Sequence, residues 1–113
     1  MENKAETKEI PCPALMLLGM NTPEAALFLV DRSPFVMGKD LACDGVIPGV
    51  DEISRRHAMI TLREEGYTLT DLDSMNGTTL NDERLQPGKE YPVAAGDVIG
   101  LAMVRLNVSK LKL

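Results

Sequence analysis

Apolar residues in this chain occur in short runs and in alternation, without the stripes of a long helix. Ala58, Ile60 and Leu62 fall on one side of an extended segment, and Met59, Thr61 and Arg63 on the other. That is the period-two pattern of a strand with one buried face. After Glu64-Glu65-Gly66, the residues Tyr67, Leu69 and Asp71 alternate with Thr68, Thr70 and Leu72. Together they predict a hairpin over 57–72 whose threonine-rich face is half exposed. Apolar runs at 14–18, 25–30 and 35–38 are separated by Gly19-Met20-Asn21-Thr22-Pro23 and Asp31-Arg32-Ser33-Pro34. Runs of this length between turn signals predict strands.

Residues 41–50 contain Gly45, Pro48 and Gly49, too many breakers for a helix, and predict a loop with a short strand near Val46-Ile47. Asn76-Gly77 is a turn pair because both residues tolerate positive φ. Asn81-Asp82, Pro87-Gly88 and Gly96-Asp97 bound further segments at 78–80, 83–85, 91–94 and 98–108. Val104, Leu106 and Val108 alternate with polar residues, but Leu111 and Leu113 have the opposite parity, so the last strand ends or bulges near Ser109-Lys110. The single helical candidate is 23–30, where Pro23 precedes Glu24-Ala25-Ala26-Leu27, although Phe28-Leu29-Val30 favours a strand. Many short strands with frequent turns imply an all-β fold, a β-sandwich of two mostly antiparallel sheets.

The 113 residues suit one domain. Residues 1–13, charged and ending in Ile10-Pro11-Cys12-Pro13, read as a polar N-terminal tail or linker, leaving 14–113 as the domain. Phe28, Phe35, Tyr67 and Tyr91 are the only aromatics, so the core must be aliphatic. A net charge of −5 repels a phosphate backbone, and there is no aromatic stacking platform, which argues against nucleic-acid binding. Cys12 and Cys43 are too far apart for a metal pair, and one histidine adds little, so no metal or cofactor is expected. The two cysteines read as reduced thiols of a cytoplasmic protein. No apolar run is long enough for membrane insertion, and the charged start lacks a secretory leader's apolar centre.

Against this acidic background, Ile53-Ser54-Arg55-Arg56-His57-Ala58 concentrates positive charge beside a hydroxyl. About twenty residues on lies the polar loop Asp71-Leu72-Asp73-Ser74-Met75-Asn76-Gly77-Thr78. A phosphorylated Ser or Thr carries about −1.5 to −2 charges and three acceptor oxygens. Arg55 offers a permanent charge and several N–H groups, Ser54 an O–H, and Lys39 a point charge if the loop after Gly38 lies alongside. The Asn76 amide suits the main chain of an extended peptide. Ser54 and His57 do not form a nucleophile–base pair at this spacing on an emerging strand, so no enzymatic activity is expected. Asp71 and Asp73 read as loop-bracing acceptors, since no carboxylates cluster around them.

From Phe35 to about Val108 the chain resembles the forkhead-associated (FHA) domain, a phosphothreonine-peptide-binding β-sandwich with its functional loops at one end. The resemblance rests on the order and spacing of Gly38, Ile53-Ser54-Arg55-Arg56-His57-Ala58, Asp71-Leu72-Asp73-Ser74, Asn76-Gly77-Thr78, Asn81 and Gly96-Asp97. It implies that Ser54 bonds phosphate, that Arg55 meets phosphate or nearby peptide, and that Asn76 bonds the peptide main chain. Gly38, His57, Gly77 and Thr78 would structure the loops, with His57 bracing them from inside. The implied partner is a threonine-phosphorylated protein or peptide in kinase-linked signalling, with the domain part of a larger multidomain protein. Two positions depart from the family pattern. Lys39 stands where Arg is usual, keeping the charge but losing the forked geometry. Met75 stands where Ser or Thr often bonds phosphate, and it cannot donate. Both leave open an FHA-like domain that binds its partner without phosphate. Glu52 lies where the family reads a downstream peptide side chain, and its carboxylate would disfavour an acidic residue there and favour a basic one.

Overall fold

The computed structural model describes residues 8–9, 15–22 and 26–111, and no helix forms among them. Two sheets face each other. In the first, β2 (Leu15–Gly19) lies between β3 (Leu27–Leu29) and β13 (Val104–Lys110), and β13 continues to β12 (Val98–Leu101). Beyond β12 lie β9 (Thr78–Leu80) and the edge strand β10 (Glu83–Arg84). In the second sheet, β7 (Ala58–Arg63) pairs on one side with β8 (Gly66–Asp71), followed by β11 (Glu90–Val93). On its other side lies β5 (Phe35–Gly38), then β6 (Gly45–Val46). All pairings are antiparallel except β5 with β6. Within the stretch read as a polar tail, β1 (Lys8–Glu9) pairs with β4 (Arg32–Ser33) as a separate two-stranded ladder.

The alternation read from the sequence sorts side chains as expected on most strands. Leu17, Ile99, Leu101 and Leu106 of one sheet and Met37, Ile60 and Leu69 of the other are fully buried between them. The rings of Phe28 and Phe35 meet at a centroid distance of 6.3 Å, joining β3 to β5. The candidate helix at 23–30 gives way to a strand at Leu27–Leu29, with 23–25 outside the described residues. The final strand runs to Lys110 without a break in register, so the parity change marks its end.

Two side-chain expectations fail on the hairpin. Leu62 is 41% exposed, because it pairs with Tyr67 one step from the Glu64-Glu65 turn, at the end of the hairpin. Thr61 and Thr70, expected on a half-exposed face, are buried. Thr70 lies on an inner strand, paired with Met59 on one side and Glu90 on the other, so neighbours flank it on both sides.

Register also places the loops. Met37 pairs with Ala58, and Ala58 with Asp71, so the end of β5, the start of β7 and the end of β8 lie side by side. Three loops therefore leave the second sheet at one end. Two of them run together: Lys39 N–H donates to the Ser54 carbonyl and Asp40 N–H to the Arg55 carbonyl, both at 3.2 Å. Gly38 permits this approach. A Cβ there would stand 2.1 Å from the Arg55 carbonyl oxygen and 3.0 Å from that of Ser54. Backbone cannot swing aside as a side-chain end can. Gly38→Ala should therefore destabilise the domain by roughly 1–3 kcal/mol, the scale of overpacking a tight site. Urea unfolding checks this, and an unchanged midpoint would refute the close approach.

Candidate functional site

At this end the loops enclose an open cavity of about 530 Å³. Lys39, Ser54, Arg55, Arg56, Met75 and Asn76 line it, and so do the carboxylates Asp40, Asp51 and Glu52. The structure thus brings together all six residues singled out for peptide contact. Lys39, Arg55 and Arg56 form no ion pair among the described residues, although three acids border the same space. In this acidic chain, their charges stay available to a ligand.

Ser54 ties its loop to the one carrying Asn76. Its Oγ accepts from the Met75 N–H at 3.0 Å, which leaves its hydroxyl proton to donate elsewhere. Asn76 makes the reciprocal link, its Nδ2 donating to the Glu52 carbonyl at 2.7 Å. Its second amide hydrogen and its Oδ1 have no partner among the described residues. Met75 reaches the ligand space with its thioether side chain, 85% exposed, while its main chain serves the Ser54 link.

His57 lies underneath, fully buried. Its Nδ1 is 3.0 Å from the Ser54 nitrogen and its Nε2 2.9 Å from the Gly77 oxygen. An amide can only donate and a carbonyl only accept, so Nδ1 is bare and Nε2 carries the hydrogen. The ring is therefore neutral. Burial pushes its pKa below the usual 6.5, against the opposing pull of the Gly77 carbonyl and the Asp71 charge.

The turn on which Asn76 sits has its own buried frame. Asp71 Oδ1 accepts from Ser74 Oγ at 2.6 Å and from Thr78 Oγ1 at 2.5 Å, and Asp71 Oδ2 accepts from the Ser74 N–H. Ser74 Oγ in turn accepts from the Gly77 N–H at 2.9 Å. Gly77 has φ +91°, a left-handed conformation that glycine adopts without strain. Asp73, expected to brace the loop as Asp71 does, makes no side-chain hydrogen bond among the described residues. It is an exposed turn residue with φ 60°.

Sequence reasoning missed two supports. Ser74 works as relay between Asp71 and Gly77, a role that its three-residue spacing from each could have suggested. Cys43 donates its S–H to the Arg55 carbonyl at 3.1 Å, holding from outside the carbonyl that Gly38 approaches. Nothing in the spacing of Cys43 signals this. Burial raises its thiol pKa, so the group acts as a protonated donor.

The histidine bridge makes stability depend on pH. Unfolded His57 takes a proton near pH 6.5, but folded His57 does so only at lower pH. In that window the unfolded chain binds more protons, so stability falls as pH drops below about 6.5. The chain has one histidine, and Glu90, held down to about 2 by Arg63 and Thr68, titrates well below this window. Urea unfolding from pH 7.5 to 5 should show the wild type losing stability. His57→Gln should be weaker at pH 7.5 but flatter across the range. Equal slopes for the two would remove the neutral bridge.

The arrangement has counterparts among known proteins. The FHA domain family model matches residues 35–102. E3 ubiquitin-protein ligase CHFR of Xenopus tropicalis is 33% identical over 84 residues, 74% of this chain and 13% of CHFR. The chain thus matches only a small part of that relative's length. Oxoglutarate dehydrogenase inhibitor of Corynebacterium glutamicum is 30% identical over 100 residues, covering 88% of this chain and 67% of that protein. A solved structure from work on phosphothreonine-dependent FHA domain interactions superposes with a TM-score of 0.76 at 27% identity, over 88% of this chain and 99% of the other. The FhaA FHA domain complexed with the intracellular domain of Rv3910 gives 0.73 at 27% identity, over 84% and 99%. With the family model matching more than half of its residues and the same sandwich beneath the site, this chain belongs to the FHA domain family, whose domains are interaction modules.

Proposed function

We propose that this domain binds a threonine-phosphorylated segment of another protein in the cavity between its three loops. The observation carrying this is the convergence of Lys39, Ser54 and Arg55 on one open space, with no ion pair on either cation among the described residues. Arg55 and Lys39 supply positive charge to the phosphate oxygens, and the Ser54 hydroxyl supplies its spare hydrogen. Asn76 uses its remaining N–H and its Oδ1 on the peptide main chain, as one unit of an extended strand requires. Asp51 and Glu52 place negative charge along the same cavity, so a basic side chain on the peptide fits there better than an acidic one. Gly38, His57, Gly77 and Thr78 keep the loops in place. The solved FHA neighbour from work on phosphothreonine-dependent interactions supports the reading.

The proposal takes residues 14–113 as the binding domain and 1–13 as its polar lead, within a larger cytoplasmic signalling protein. A second reading, partner binding without phosphate, is favoured by Met75, which presents an apolar side chain at the lip of the cavity. No catalytic step is assigned to the site.

Calorimetry with a phosphothreonine peptide and its unphosphorylated twin separates the two readings, and equal affinity for both peptides would overturn the first. Under it, Ser54→Ala and Arg55→Ala should each weaken phosphopeptide binding by roughly 1.5–3 kcal/mol, the scale of a hydrogen bond to a charged group. Lys39→Arg should preserve or tighten binding, because the guanidinium adds a fork to the same charge. A large loss would mean that Lys39 meets the ligand elsewhere.

A further inference from the structure

The arginines of the chain divide by location. Arg32 pairs with Asp31 and Asp44, Arg63 with Glu90, and Arg105 with Asp82, all away from the cavity. Arg55, Arg56 and Arg84 form no ion pair among the described residues. Arg55 and Arg56 line the cavity, but Arg84 does not. It is exposed on β10, the outer strand of the first sheet, paired in register with Thr79. Its side chain folds back over Gly77. A Cβ on Gly77 would stand 2.6 Å from Arg84 Cζ and Nε and 2.8 Å from Nη2.

Asn76 therefore stands between two differently charged places. On one side its amide grips the Glu52 carbonyl beside two carboxylates, and on the other the next residue carries a guanidinium against its backbone. The acids near Arg84 do not neutralise it. Asp71 is buried among its own donors, Asp82 faces Arg105 at 4.0 Å, and neither Glu83 nor Asp73 reaches it. An extended peptide advances about 3.3 Å per residue, so a segment bonded at Asn76 comes within reach of Arg84 after very few residues.

We infer that Arg84 is a second anion contact of this site. It receives an Asp or Glu side chain of the phosphothreonine peptide where the peptide passes Asn76 on the Gly77 side, opposite the Glu52 side. This rests on the phosphopeptide reading and adds to it a preference for an acidic residue at one flank. The guanidinium, without an ion pair among the described residues and already folded against the Gly77 backbone, loses little freedom when it meets a carboxylate.

The test is a series of phosphothreonine peptides with Asp or Ala placed at each flanking position in turn, titrated against the wild-type domain, Arg84→Gln and Arg84→Lys. In the wild type, Asp should improve affinity over Ala about threefold to fivefold at one flank, the upper range for an exposed ion pair. Arg84→Gln should bind the all-Ala peptide as the wild type does and lose the Asp advantage, while Arg84→Lys should retain part of it. If no position favours Asp, or if Arg84→Gln keeps the advantage, the inference falls while the phosphopeptide reading stands. If Arg84→Gln weakens the all-Ala peptide to the same degree, Arg84 only supports the Gly77 turn, and the inference falls again. If the wild type binds no phosphothreonine peptide, both fall together.

Discussion

The loops around the cavity depend on one buried, uncharged imidazole. His57 accepts from the Ser54 amide with one nitrogen and donates to the Gly77 carbonyl with the other, joining two loops that are twenty residues apart in the chain. Protonation would put a hydrogen on Nδ1 and set it against the Ser54 N–H, breaking the bridge as it placed a charge in the core. The bridge fixes the main chain on both sides of the cavity at once. Ser54 and Asn76 then add their own reciprocal links above it, each giving up one bonding group and keeping another for a ligand.

This division of labour explains how an acidic protein can keep a cationic site. Buried groups at this end are neutral or satisfied: His57 is uncharged, and the Asp71 carboxylate has three donors. The cations at the cavity and its rim are exposed or half-exposed and form no ion pairs among the described residues, whereas the arginines elsewhere are matched with acids. Leaving a solvated cation unpaired costs little, because an exposed ion pair is worth at most about 1 kcal/mol. Under the proposed reading, a phosphate carrying about −1.5 to −2 charges would meet several such cations at once.

The backbone requirements are of two kinds. Gly77 is needed for its left-handed conformation, and Gly38 for space. The Asn76-Gly77 pair announces its turn in sequence, because both residues are known for positive φ. Gly38 ends a regular strand and gives no such sign of the carbonyl lying against it. The same contrast separates Asp71 from Asp73. They are two residues apart in one polar loop, yet one is the buried hub of the turn and the other an exposed turn residue.

Read alone, the chain determined the strands of its two sheets, its sandwich and the identity of the residues that crowd the cavity, but not the β1–β4 ladder, whose residues read as tail and turn. Period-two burial and turn chemistry are local properties, so they survive without knowledge of neighbours. Leu62, Thr61 and Thr70 mark the limit, since their exposure depends on how far the sheet is covered and on which strand lies alongside. Only the folded molecule decided that Gly38 meets the Arg55 carbonyl, that Cys43 bonds the same oxygen, that His57 must be the Nε2–H tautomer, and that Arg84 lies over Gly77. Each of these joins residues whose separation in sequence carries no periodic signal, and each is set by the register of strands that bring distant loops to one end of the sandwich.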